Sequence, residues 1–170
     1  MIVYRVVHKA VTQLLTGSGI DARWCSGGRK AIYTSSSIAL ACLENVLRRS
    51  GYGFSEDFRT IFYQIPDSIS MEEVKLKNLN NNWRLQSSYY YCQLIGNKWF
   101  DNKESLVLKV PSAIIPYEYN YIIKTTSPKI NKITIKDIKP FVPDVRLENI
   151  LTNVDVNKLK KIAAKEIKRK

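Results

Sequence analysis

The chain has a single histidine among its 170 residues. A serine or cysteine nucleophile activated by histidine would therefore have to use His8, which lies in an apolar, strand-like segment near the amino terminus. Any catalysis by this chain is expected to avoid a histidine base. It would rest on carboxylates, hydroxyls, arginines and aromatic rings.

Cysteine is also scarce, and its spacing excludes two common uses. Cys25, Cys42 and Cys92 are odd in number and widely separated, and no CxxC motif or Cys/His cluster accompanies them. Zinc sites and disulfide frameworks both need closely patterned ligands or paired thiols. We therefore expect incidental or buried thiols and no metal site.

Long apolar runs are absent as well. A membrane-spanning helix needs roughly 20 apolar residues, and the opening run MIVYRVVHKAV is interrupted by Arg5, His8 and Lys9. The same run lacks the order of a signal peptide, in which a basic start precedes a long apolar stretch and a small-residue cleavage site. The chain is therefore expected to be cytoplasmic, with no membrane partner.

The composition is that of a folded domain with excess positive charge. Apolar residues make up 45% and charged residues 25% of the chain, and the net charge is +12. These fractions are ordinary for a globular protein of one domain. The charge favours an anionic partner, which could be a nucleic acid, a phosphate-bearing ligand or an acidic protein.

Predicted strands and helices alternate irregularly along the chain. Short runs rich in β-branched and aromatic residues predict strands at 1–7, 30–34, 58–65, 105–110, 119–123 and 132–138, with 114–115 as a possible continuation of the fourth. Helices are predicted at 38–49, at 71–79 and at 88–95, the last ended by Gly96. Without a regular βαβ rhythm, this order favours an α+β fold with a mixed sheet in one compact domain.

The tail differs from the body. From residue 153 to the end it has seven Lys or Arg residues against two acidic ones, and its apolar residues recur at helical spacing. We expect a basic amphipathic helix over 148–170, following a domain over 1–147. Such a helix could pack on the body or on a second subunit, or it could contact an acidic partner protein or DNA.

The helix predicted at 38–49 carries a carboxylate beside its apolar stripe. Ile38, Ala39, Leu40, Cys42, Leu43, Val46 and Leu47 form one broad apolar face at 100° per residue. Glu44 falls just past the edge of that face, next to Leu40 and Leu47. It is expected to be partly buried, either as a functional group held by a rigid helix or as an ordinary glutamate on the helix flank.

Several short motifs together resemble the RES domain family. They are Arg23-Trp24, Tyr33-Thr34, Ala39-Leu40-Ala41 with Leu43-Glu44, Gln93-Leu94-Ile95-Gly96 with Trp99, Val110-Pro111-Ser112-Ala113, then Pro116, Glu118, Asn120 and Tyr121, and finally Pro128 and Pro140-Phe141. The resemblance covers residues 1–147. One position departs from it, because Cys25 stands where the family usually has asparagine.

The resemblance implies a fold similar to that of ADP-ribosyltransferases and a function. RES proteins are toxins of bacterial toxin–antitoxin pairs, their antitoxins are Xre-type repressors, and members consume NAD⁺. The family's arginine, glutamate and serine correspond to Arg23, Glu44 and Ser112, and Tyr33 matches a further aromatic of the active site. The resemblance thus implies NAD⁺ as a substrate, no bound cofactor, and contact with DNA only through the antitoxin complex.

Each of these residues suits a step of that chemistry. Glu44 would stabilise the positive ribose carbon that forms when nicotinamide leaves, and Arg23 would hold phosphate oxygens through its planar fork. Tyr33 would stack on nicotinamide or ribose through its ring and orient them through its hydroxyl. Ser112, without a histidine base, would hydrogen-bond and not attack. Further candidates for binding substrate are Arg5, Trp24, Gly28 and Asn120.

More than one function remains compatible with these features. The acceptor could be water, inorganic phosphate or a protein side chain, which would make the protein a glycohydrolase, a phosphorylase or an ADP-ribosyltransferase. A different reading is a basic module that binds nucleic acid through its tail without catalysis. A third is an inactive RES protein, of which Cys25 would be the only sign.

Overall fold

Seven strands form one mixed sheet in the computed structural model, which describes residues 1–12, 15–49, 53–102 and 104–147. The strands are β1 (Ile2–His8), β2 (Ala31–Ser35), β3 (Phe58–Gln64), β4 (Met71–Glu73), β5 (Val107–Pro111), β6 (Tyr119–Lys124) and β7 (Thr134–Pro140). Two α-helices accompany them, α1 (Ile38–Arg48) and α2 (Tyr89–Asp101). The predicted α+β class is confirmed, while the predicted helix over 148–170 lies outside the described residues.

The sheet is almost wholly antiparallel and has a break near its middle. Its order is β4-β5-β6-β2-β1-β3-β7, and only β4 and β5 run parallel. The pairing of β1 with β2 is limited to Tyr4 and Ser35, whereas β1 pairs with β3 along its whole length from Ile2 to His8. Beyond Tyr4 and Ser35 the two strands therefore part, and the sheet opens there.

Apolar side chains cover both faces of the sheet. Ile122 and Ile123 are neighbours on β6 but belong to different buried clusters, because successive side chains of a strand point to opposite faces. The cluster around Ile123 includes Ile32 and Ile61, and the cluster around Ile122 packs under α2. Packing on both faces therefore holds the strands in place around the break between β1 and β2.

Helix α1 begins at a serine cap, as predicted. The Ser37 hydroxyl accepts a hydrogen bond from the Leu40 amide at 3.1 Å, which satisfies one of the free amides of the first turn. The buried face is narrower than the predicted stripe, since Leu43 and Leu47 are 39% and 60% exposed. The helix packs mainly on β1 and β2, so a single face is covered and the outer leucines remain at the surface.

Helix α2 continues past the glycine that was predicted to end it. Gly96 lies inside the helix, where a side chain would overlap the backbone carbonyl of Trp24. The glycine is needed for close packing of the helix against this segment and not for a turn. Among the described residues, neither helix is long and apolar enough to cross a membrane.

The predicted helix at 71–79 is wrong. Residues Met71–Glu73 form β4, which pairs in parallel with β5, and Leu76–Asn78 form a single 3-10 turn. Pairing with a strand more than 30 positions later overrides the local helical pattern. The expected continuation of β5 through residues 114–115 is also wrong, because the chain turns there and the Ser112 amide donates to the Glu118 carbonyl at 2.9 Å.

We predict that Gly96→Ala destabilises the fold strongly. The new Cβ would overlap the Trp24 carbonyl, so the helix must move or the core must open. Overpacking of this kind costs about 2 to 3 kcal/mol, which lowers the melting temperature by about 4 to 12 °C. Gly27→Ala is the matched control, since a Cβ at Gly27 meets no atom within 4 Å. Equal melting temperatures for the two variants in thermal denaturation would refute the packing account.

Candidate active site

A cavity of about 910 Å³ lies where β1 and β2 part. Its wall is formed by both strands, by α1, and by the segments at 18–24 and 113–120. The predicted residues that line it are Arg5, Arg23, Trp24, Tyr33, Glu44 and Asn120, whereas Ser112 and Gly28 do not. Residues from five distant parts of the sequence are thus brought to one site.

The Glu44 carboxylate is held in one orientation by two side chains. The Ser112 hydroxyl donates to Glu44 Oε1 at 2.9 Å, and the Asn120 amide nitrogen donates a second, short hydrogen bond to the same oxygen. The other oxygen, Oε2, makes no hydrogen bond within the described part of the chain. A carboxylate held through one oxygen presents the other to a ligand with a fixed direction.

Ser112 lies behind the cavity wall and contacts the Glu44 carboxylate from the protein interior. It is fully buried, and its hydroxyl oxygen accepts hydrogen bonds from the Ile114 and Ile115 amides at 3.0 and 3.2 Å while its proton points to Glu44. The one donor position and both acceptor positions of this hydroxyl are therefore used. The geometry is that of a residue that positions Glu44.

Asn120 is oriented by a third side chain that the sequence did not reveal. The buried Ser35 hydroxyl donates to Asn120 Oδ1 at 2.8 Å, which fixes the amide so that its nitrogen faces Glu44. Ser35 and Asn120 are directly opposite each other in the pairing of β2 with β6. Strand register, which no local sequence signal carries here, therefore sets the amide orientation.

Arg23 is engaged by the protein itself. Its Nη1 donates to the carbonyls of Trp83 and Leu85 at 2.6 and 3.1 Å, its Nη2 donates to the Arg84 carbonyl at 2.8 Å, and the guanidinium lies 4.5 Å from the centre of the Tyr89 ring. Three of the five N–H groups are thus used. A two-pronged contact with phosphate would compete with these bonds, so the geometry favours an anchoring role for Arg23.

Arg84 extends that anchor toward the buried serine. Its Nε donates to the Ala113 carbonyl at 2.8 Å and its Nη2 donates to the Ile114 carbonyl at 3.2 Å. These carbonyls belong to the turn whose amides hold Ser112. A continuous set of hydrogen bonds therefore runs from Arg23 through the turn to the carboxylate on the cavity wall.

Tyr33 lines the cavity, but its hydroxyl points away from solvent. The hydroxyl oxygen is buried without a hydrogen-bond partner among the described residues. Burial, followed by the neighbouring Cys25 thiol, raises the pKa of Tyr33 well above its ordinary value. Because the hydroxyl is enclosed beside Cys25, the ring is the part of Tyr33 that can meet a ligand.

Trp24 packs in the protein interior, and Gly28 forms a turn. Trp24 is buried in the cluster under α2, its ring 6.0 Å from that of Trp83, and reaches the cavity only in part. Gly28 adopts a positive φ of 88° and its amide donates to the Gly19 carbonyl at 2.8 Å. It shapes the turn beside the cavity, since only glycine adopts such a φ at little cost.

The cavity offers neither a metal site nor a histidine base. The described residues contain no group of three or more His, Cys, Asp or Glu residues able to hold a metal ion. His8 lies outside the cavity, where its Nε2 is 3.5 Å from a carboxylate oxygen of Asp57. The ionisable and aromatic side chains that line the cavity include Glu44, Tyr33 and several arginines.

We predict that Ser112→Ala loosens both the turn and the carboxylate. The variant removes the acceptor of the Ile114 and Ile115 amides and the donor to Glu44. Leaving buried polar groups unpaired costs about 1 to 3 kcal/mol, and hydrogen exchange at the two amides should accelerate. Ser127→Ala, which removes a similar but exposed contact to Lys129, is the control. Unchanged exchange at Ile114 and Ile115 would contradict the arrangement.

Comparison with known proteins identifies the family. The model of the RES domain matches residues 2–147. The chain is 31% identical to Toxin Res of Photorhabdus laumondii, over 78% of this chain and 86% of that protein. It is 30% identical to Toxin Res of Pseudomonas putida, over 86% of this chain and 99% of that protein.

Two further proteins extend the comparison. The Prs ADP-ribosylating toxin of Sphingobium is 28% identical over 78% of this chain and 86% of that protein. A chain from the crystal structure of the M. tuberculosis MbcT–MbcA toxin–antitoxin complex matches with a TM-score of 0.64 at 18% identity, over 89% of each chain. The expected resemblance is confirmed, and the chain belongs to the RES domain family of toxins.

Proposed function

We propose that this protein is the toxin of a bacterial toxin–antitoxin pair and that it cleaves the nicotinamide–ribose bond of NAD⁺. The observation that carries the proposal is the Glu44 carboxylate, fixed by Ser112 and Asn120 on the wall of a cavity large enough for a dinucleotide. Support also comes from the relatives, which are named toxins, one of them ADP-ribosylating.

The bond-breaking step follows from the position of that carboxylate. The bond between the ribose carbon and the pyridinium nitrogen breaks, and its electron pair leaves with neutral nicotinamide. The ribose carbon then carries positive charge, which a preorganised carboxylate stabilises. Glu44 Oε2, the oxygen without a partner in the described residues, would accept a hydrogen bond from a ribose hydroxyl.

The acceptor would be phosphate, water or a protein side chain. A water oxygen that bonds to the ribose carbon releases a proton to solvent and gives ADP-ribose. A phosphate anion bonds through a charged oxygen and gives ADP-ribose phosphate, and a protein side chain bonds through its nucleophilic atom. The Sphingobium relative, named for ADP-ribosylation of Prs, favours keeping a protein acceptor as the second candidate. All three reactions begin with the loss of nicotinamide beside Glu44, and they differ only in the acceptor that then bonds to the ribose carbon.

The partner proposed is an antitoxin of the Xre type, and the compartment is the cytoplasm, where NAD⁺ is available. The similar fold in the MbcT–MbcA toxin–antitoxin complex supports pairing with an antitoxin. Nucleic acid would be met only through that complex. A basic module acting through the tail over 148–170 is the contrasting function, and a chain truncated after residue 147 separates the two, since it should still cleave NAD⁺.

We predict that Glu44→Gln lowers the rate of NAD⁺ cleavage by at least about 100-fold, because it removes the charge that stabilises the ribose cation. Purified protein would be incubated with NAD⁺ with and without inorganic phosphate, and products identified by mass. Glu104→Gln, an exposed change outside the cavity, is the control. Full activity of Glu44→Gln would refute the catalytic role, and no NAD⁺ loss by the unmodified chain under either condition would favour the protein acceptor.

We predict different outcomes for two changes at Tyr33. Tyr33→Phe should keep kcat and KM within about twofold, because the buried hydroxyl has no hydrogen bond to lose in the described structure. Tyr33→Ala removes the ring and should raise the KM for NAD⁺ about tenfold, the value of one stacking contact. Steady-state kinetics would distinguish them. A Phe variant as impaired as the Ala variant would show that the hydroxyl contacts the substrate.

A further inference from the structure

Two arginines on the cavity wall have no carboxylate partner in the part of the chain that the structure describes. Arg5 lies on β1 and Arg48 in the last turn of α1, and both line the cavity. The Tyr63 hydroxyl neighbours Arg5, and its pKa is raised by burial, so it remains an uncharged neighbour. The two positive charges are therefore not neutralised by the described residues.

The other arginines of the wall are already engaged. Arg29 donates to both carboxylate oxygens of Asp101, at 3.1 and 2.6 Å. Arg49 donates to the Gly53 carbonyl at 2.8 Å and lies 4.4 Å from the centre of the Phe58 ring. Arg23 and Arg84 bind backbone carbonyls, as described above. Arg5 and Arg48 form neither an ion pair nor a hydrogen bond to a backbone carbonyl among the described residues, and the polar group beside Arg5 is the uncharged Tyr63 hydroxyl.

The neighbouring charges disfavour one another. Partial burial lowers the pKa of Arg48, although the residue as a whole is exposed, and the charges of Arg5 and Arg49 lower it further. Like charges brought together without counter-charge cost free energy that a bound anion recovers. Of the two carboxylates on the cavity wall, Asp21 accepts from the Gly27 amide and the Gln93 side chain, and Glu44 accepts from Ser112 and Asn120 through Oε1. Neither carboxylate forms an ion pair with Arg5 or Arg48 among the described residues.

The position of Arg48 relative to Glu44 indicates how a bound ligand would be oriented along α1. The two residues are four positions apart on α1 and both line the cavity. Successive turns of one helix face therefore place the Cα atoms of the two residues about 6 Å apart along the axis. A ribose at Glu44 would have its 5′-phosphate directed along the helix toward Arg48.

We infer that Arg5 and Arg48 form the phosphate-binding end of the cavity and that Arg23, the arginine of the family motif, does not. This inference rests on the proposed function and specifies which residues take the anionic part of the ligand. Guanidinium groups bind phosphate oxygens in pairs of parallel hydrogen bonds, which suits two arginines that form no ion pair within the described residues. The phosphate oxygens could belong to the pyrophosphate of the dinucleotide or to free inorganic phosphate serving as acceptor.

The test measures binding without turnover. Calorimetric titrations of the full chain with ADP-ribose and, separately, with inorganic phosphate would compare the unmodified protein with Arg5→Gln and Arg48→Gln. Each substitution should weaken binding of at least one probe about tenfold, the effect of losing one charged hydrogen bond. Arg48→Lys, which keeps the charge but not the fork, should recover part of the loss.

A matched control removes the same charge elsewhere. Arg146→Gln changes an exposed arginine that pairs with Asp144 outside the cavity, and it should bind both probes as the unmodified protein does. Melting temperatures would establish that each variant is folded. A comparable loss in Arg146→Gln would overturn the subsite in favour of general charge attraction.

The outcomes separate the two sources of phosphate and the two proposals. Weakened binding of ADP-ribose alone assigns the subsite to the pyrophosphate, and weakened binding of inorganic phosphate alone assigns it to the acceptor. Unchanged affinity of Arg5→Gln and Arg48→Gln for both probes overturns the inference. A chain that binds ADP-ribose through these arginines but never cleaves NAD⁺ would contradict the proposed cleavage and leave the subsite intact.

Discussion

The site depends on one oxygen atom, Glu44 Oε1, which accepts hydrogen bonds from Ser112 and Asn120 at the same time. Ser112 follows β5 and Asn120 belongs to β6, so the two bonds tie helix α1 to the sheet through the carboxylate. The side chain has lost its freedom before any ligand binds. A charge already fixed in place needs no reorganisation when positive charge develops beside it, which is the physical basis of electrostatic catalysis.

The break between β1 and β2 makes room for this arrangement, and it has a cost. Strands that part leave backbone groups without ladder partners, and such groups are rarely left unsatisfied when buried. The buried Asn45 side chain donates to the Val6 carbonyl at 2.7 Å, beside the break. Asn45 therefore satisfies the strand edge and fastens α1 to β1 one residue after Glu44. The parting of β1 from β2 thus opens the cavity, and it also leaves the Val6 carbonyl free to bind Asn45 of the helix above.

The sequence predicted what is encoded locally. The serine cap of α1, the β-branched strands and the partly buried Glu44 have short-range signals, and the structure confirms them. The failures concern residues whose state depends on distant partners. Residues 71–73, inside the predicted helix, form a strand because β5 pairs with them, and Gly96 stays helical because the Trp24 backbone packs against it. No local sequence pattern indicated that Ser35 orients Asn120 or that Arg84 binds the Ala113 carbonyl, because both contacts depend on residues far along the chain.

The arginines show why composition could not assign the charged residues. A net charge of +12 indicates an anionic partner but not which cations are available to it. Availability is decided by hydrogen bonding, and the bonds of Arg23 go to the loop at 83–85, from which Arg84 holds the turn around Ser112. The arginine, glutamate and serine of the family motif are therefore parts of one connected hydrogen-bonded frame. Loss of the arginine would therefore disturb the hydrogen bonds that orient Glu44.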